Sequence, residues 1–167
     1  PGGGPIAGVV AAVGVGLLEM SASITCRRST ATASTIYQLR DTIATLAALR
    51  SSLLELSQDD VHRYCSLLSA VYEEPGGRRD QKLRDWGARC VETPLLVARQ
   101  AFQAISMLSE PAEGTPSALA GLFTRSVRGD WLAGVNLLQS ALDISVRNVR
   151  INLAGKVDER DRFRHEA

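Results

Sequence analysis

The sequence predicts a single-domain, all-α helical bundle, and three observations carry that expectation. Apolar residues recur at three- and four-residue spacing through most of the 167 positions. No stretch alternates apolar and polar side chains as a half-buried strand would. The breaks between periodic stretches are short and rich in proline and glycine, which end helices. A chain of this length fits one domain and buries roughly two-thirds of its unfolded surface. With 45% hydrophobic and 22% charged residues it has the composition of a folded globular protein, not a disordered one.

The first element is written in "PGGGPIAGVVAAVGVGLLEM". Three glycines in succession sacrifice order, so such a run persists where backbone must come close to something. The stretch from Pro5 to Cys26 approaches the length of a membrane span. Glu19, Ser21, Ser23 and Thr25 crowd its second half, however, and no basic segment precedes it as in a signal peptide. It therefore reads as a helix buried on most sides, with small residues that let neighbours approach and Pro5 in its first turn.

A long stripe of Ile36, Leu39, Ile43, Leu46, Leu53 and Leu56 follows, continued by Val61, Tyr64, Cys65, Leu68 and Val71. "EEPGGRRD" (73–80) breaks it, and helical character resumes from Gln81 to Val91. "TPLL" then starts a new helix, with Thr93 as its cap and Pro94 in its first turn. The loop "SEPAEGTPS" (109–117) leads to a short helix at Ala118–Phe123. A last helix begins near Asp130 and reaches about Leu153, with Trp131, Val135, Leu138, Leu142, Val146 and Val149 on one stripe.

Charge and chemistry narrow the function. A formal charge of +1 leaves no footprint for nucleic acid or an acidic membrane. Three cysteines at no metal-like spacing point to a reducing cytoplasm, and two isolated histidines argue against a metal site. Two places hold carboxylates beside apolar stripes. In "LELSQDDVHRY", Ser57 caps a helix with Asp59 and Asp60 in its first turn, or one of the acids does chemistry. In "RSVRGDW", Asp130 is an N-cap or a site residue. Asn148 and Asn152 lie one turn apart on the flank of a buried face, where they hydrogen-bond a ligand, another chain or a structural network.

Read in order, these motifs resemble the cyclodeaminase domain of formiminotransferase-cyclodeaminase, which also occurs alone as a methenyltetrahydrofolate cyclohydrolase. The opening glycines, the spacing to Met20 and Thr25, "LELSQDD", Thr93-Pro94-Leu95, and the interval from Asp130 to Asn148 all match that pattern. The resemblance spans residues 1–158 and leaves 159–167 as a charged tail. It implies a bundle of the cyclodeaminase type, a homodimer with its site near the subunit interface, and a small-molecule substrate. Departures fall at site positions: Pro5 replaces a serine, Gln58 the first aspartate of an Asp-x-Asp, Gly129 the serine of a Ser-Asp, and Phe123-Thr124 a Gly-Asn.

The implied chemistry acts on a carbon held between two nitrogens. Water or an internal amine adds to that carbon, and amine or ammonia then leaves; no metal or redox cofactor is required, and a tetrahydrofolate derivative is the substrate where the family activity is kept. A carboxylate stabilises the cation and moves the proton. Asp60 is the first candidate for that role and Asp130 the second. Gly2, Gly3, Gly4, Arg27, Arg28, Tyr64, Asn148 and Asn152 are the candidate substrate contacts. The losses at Pro5, Gln58, Phe123 and Thr124 suit the same scaffold serving a different ring closing or opening; a helical dimer without catalysis is the third reading.

Overall fold

The computed structural model describes residues 2–30, 32–73, 77–107 and 125–165. Four helices account for them: α1 (Gly3–Arg28), α2 (Ala33–Glu73), α3 (Gly77–Ser106) and α4 (Arg125–His165). No strand occurs among the described residues. The loop at 109–117 and the short helix at 118–123 lie outside them.

The helices run alternately up and down, and the side-chain contacts fix their register. Gly4 meets Asp60 and Gly8 meets Ser57, while Glu19 pairs with Arg50 at 2.8 Å, so α1 and α2 are antiparallel. Gly3 meets Asn148, Gly14 meets Gly134, and the Ser21 hydroxyl donates to the Val127 carbonyl at 3.5 Å, so α1 and α4 are antiparallel as well. Gln100 donates to Ser52 at 2.8 Å and Arg63 pairs with Glu92 at 3.2 Å, which lays α3 antiparallel to α2.

The core is built from small residues of α1 and larger ones of its neighbours. Ala7, Ala11, Val15 and Leu18 pack with Leu46, Leu49 and Leu53 of α2, Val97, Ala101 and Ala104 of α3, and Leu138 and Ala141 of α4. At the α1–α4 crossing the glycines face each other. A Cβ on Gly14 would stand 2.9 Å from the Gly134 carbonyl oxygen, and one on Gly134 would stand 2.8 Å from that of Gly14. Any side chain at either position would therefore force the two helices apart. The lone charge of the apolar run, Glu19, is answered by Arg50 across α2.

α3 starts at Gly77, ahead of the expected Gln81, and α4 runs past Leu153 to His165; three expected helix caps are also absent. Ser57 is not a cap, because α2 is continuous through it; its hydroxyl donates instead to the Pro5 carbonyl at 2.9 Å, tying α1 to α2. Asp130 is not an N-cap, because α4 has already started at Arg125. Thr93 does not start a helix, because α3 runs unbroken across Pro94. Proline has no N–H to offer the carbonyl four residues back, here that of Cys90. The Asn152 amide of α4 donates to that carbonyl at 2.7 Å. The acceptor orphaned by the ring is thereby satisfied, and the helix continues.

Candidate functional site

α1 begins where the other helices are in mid-course. Beyond Asp60 the second helix continues to Glu73, α4 continues from Asn148 to His165, and α3 comes down from Gly77. The first turn of α1 therefore points into the space between three longer helices, with no α1 above it. This explains why the apolar stripe of α2 changes character there: Leu46 and Leu53 are fully buried, whereas Tyr64, one turn beyond Asp60 on the same face, is 53% exposed.

Two glycines of the run have distinct packing reasons. A Cβ on Gly4 would collide with the Asp60 carboxyl group, its Cγ only 2.9 Å away. A Cβ on Gly3 would stand 3.1 Å from Oδ1 and 3.2 Å from Nδ2 of Asn148. Gly2, the N-cap of α1, meets nothing within 4 Å and carries no capping side chain. Thus the backbone of α1 lies directly against a carboxylate and a carboxamide that two other helices supply. The first turn of α1 contains no acidic residue of its own, so Asp60 is the negative charge that its positive end meets.

Burial pushes the Asp60 carboxyl above the ordinary aspartate range, and the neighbouring Arg63 guanidinium pulls it partly back. Arg63 is itself held by Glu92 of α3. Asn148 buries its Nδ2 without a hydrogen-bond partner among the described residues. A partly desolvated carboxylate and an unsatisfied amide donor face one glycine-lined helix start, and that arrangement can accept a proton and donate a hydrogen bond to one small molecule.

The other expected site residues lie elsewhere. Asp130 is eighteen residues from Asn148 on α4, about 27 Å along a helix axis. Arg27 and Arg28 lie at the far end of α1, about 35 Å from the glycines, where Arg28 reaches the Ser126 hydroxyl at 3.4 Å. Within one copy these three residues are not part of the Asp60 site. Asn152 is engaged with the Cys90 carbonyl and supports the path of α3. Sequence reasoning missed the Thr93 and Ser145 hydroxyls, which are buried and without partners among the described residues.

Among the described residues, fold and site together define an up-and-down bundle of four helices with a carboxylate–carboxamide site at the start of its most apolar helix. The chain belongs to the formiminotransferase-cyclodeaminase family, whose model matches residues 1–166. Its fold is similar to that of the formiminotetrahydrofolate cyclodeaminase from Thermotoga maritima, with a TM-score of 0.77 and 22% identity. The match covers 98% of this chain and 76% of that one. No curated protein sequence matches the chain.

Proposed function

We propose that this protein is a cyclodeaminase- or cyclohydrolase-like enzyme that opens or closes a C–N bond at an amidine-type carbon of a tetrahydrofolate derivative. Family membership supports the reaction class, and the observation that carries the assignment of residues is the Asp60 carboxyl packed on Gly4. In the hydrolytic direction, Asp60 takes a proton from the water that adds to the cationic carbon. It then returns that proton to the departing nitrogen as the C–N bond breaks. In the deaminating direction, the same carboxylate takes the proton of the attacking amine and delivers it to the leaving ammonia.

A raised pKa suits that double role, because it makes the carboxylate a better proton acceptor than an ordinary aspartate. The Asn148 amide beside Gly3 is a hydrogen-bond donor to the substrate, and Tyr64 offers an exposed ring one turn above Asp60. Asp130, Arg27 and Arg28 take no part within one copy.

The assembly belongs to the same proposal. Ile6, Val9, Val13 and Met20 form a stripe on α1 that is 40–53% exposed and carries no charge. α1 is also the described helix long and apolar enough to cross a membrane, yet 44% of its most apolar window is buried in the bundle. A second copy covers the remaining stripe and places the homodimer interface alongside the glycine-lined site. The reaction is tested by following methenyltetrahydrofolate hydrolysis and formiminotetrahydrofolate deamination with the purified protein; no turnover of either would remove the folate reading.

A further inference from the structure

Most hydroxyls with a described partner inside these helices bond either the carbonyl one turn back or a group on a neighbouring helix; two buried ones do neither. Thr25, Thr42, Thr45, Ser66 and Ser140 each donate to the carbonyl four residues back, at 2.8–3.0 Å. Thr93 and Ser145 do not. Thr93 is 2% exposed and Ser145 is 0% exposed, and neither Thr93 Oγ1 nor Ser145 Oγ has a partner among the described residues. Burying a hydroxyl without a hydrogen bond is unfavourable enough that each such group calls for an explanation.

Their register gives one. The Asn152–Cys90 bond sets α3 against α4, and counting back along the antiparallel pair puts Thr93 level with Val149, one residue from Asn148. Ser145 is one turn deeper on α4. Both hydroxyls are buried, and the Nδ2 of Asn148 is likewise buried and unpaired. Three unsatisfied polar groups thus fall within about one and a half helical turns of each other along the α3–α4 pair. One can only donate, two can donate or accept, and none carries a charge.

We infer that Thr93, Ser145 and Asn148 form a specificity subsite for a neutral, lactam-type edge of the substrate. The substrate carbonyl accepts from Asn148 Nδ2, and its N–H and second acceptor pair with the two hydroxyls. The inference rests on reading this end of the bundle as the substrate site. An anionic group is a poor occupant, since none of the three side chains carries a charge to offset its desolvation.

The test uses the intact chain with two variants: Thr93→Val, which keeps the shape and removes the hydroxyl, and Ser145→Ala. Uracil and pyridone, against pyridine and benzene as rings without a lactam, are titrated while the Asn148 side-chain amide signals are followed by NMR. The lactam rings alone should shift the Asn148 signal, and both variants should abolish the shift with melting temperatures equal to or above wild type. In turnover of methenyltetrahydrofolate, Thr93→Val should raise KM about tenfold, the weight of one hydrogen bond to a buried group, with kcat little changed. No lactam-specific shift, or a melting temperature lowered by more than about 4 °C, would overturn the subsite and assign the hydroxyls to structure. A lactam-specific shift in a protein that turns over no folate would keep the subsite and remove the reaction.

Discussion

At the residue scale the account turns on two neighbouring atoms, the Cα of Gly4 and the carboxyl carbon of Asp60. Alanine is the better helix former by about 0.5–1 kcal/mol, so Gly4→Ala would ordinarily stabilise α1. Here the new methyl meets the Asp60 carboxyl, and the carboxyl must move. Gly4→Ala should therefore lose turnover by at least about tenfold while the protein stays folded; unchanged turnover would mean that the position of Asp60 does not matter. Because burial raises the folded-state pKa of Asp60, its protonation stabilises the fold. That contribution is complete below the unfolded aspartate value of about 3.9 and is lost as pH rises through the higher folded value. Asp60→Asn, neutral at every pH, should consequently melt at or above wild type at neutral pH, with the difference shrinking towards about pH 4. A lower melting temperature at neutral pH would show a stabilising ion pair instead of a desolvated carboxylate.

At the element scale, the clearest dependence is that of α3 on α4. The helix period and the all-α class were legible because apolar spacing is a local property of the sequence. So was the close approach behind the glycine run, since few other needs explain three glycines before a helix. The continuity of α3 was not legible: Pro94 is a local stop signal, and its remedy, Asn152, lies 62 residues from Cys90 in sequence. Likewise Asp130 and Asp60 look equivalent in one dimension, and only the antiparallel registers of α1 with α2 and with α4 separate them along the bundle. The remedy can be measured. Asn152→Ala should destabilise the protein by about 1 kcal/mol, the typical net weight of one hydrogen bond, because the part-buried Cys90 carbonyl loses this donor. In a Pro94→Ala background, residue 94 regains its N–H and the same substitution should be nearly silent. Equal losses in both backgrounds would mean that Asn152 stabilises α4 by other contacts.

On the scale of the whole molecule, α1 is too apolar for one bundle. Its inner faces fill the core, and its outer stripe of Ile6, Val9, Val13 and Met20 remains exposed over about 21 Å. A homodimer through that stripe predicts a scattering mass of two chains at micromolar concentration, and Val13→Glu should yield a folded monomer. A monomeric wild type, or one that partitions onto lipid vesicles, would give the stripe a different occupant. In a dimer the glycine-lined site borders the interface, so Val13→Glu should also weaken substrate binding more than it lowers stability.

If the Asp60 carboxyl group moves the proton, removing its charge must cost rate and leave the fold intact. Turnover of methenyltetrahydrofolate is measured for wild type, Asp60→Asn and Asp59→Asn, with helix content and melting recorded on the same samples. Asp59 is the immediate neighbour but points about 100° away round the helix and is exposed. The account predicts that Asp59→Asn stays within about twofold of wild type. Asp60→Asn should remain fully folded and lose at least about a hundredfold in rate, the scale of a general acid–base contribution. A folded Asp60→Asn protein that turns over substrate at nearly the wild-type rate would contradict it.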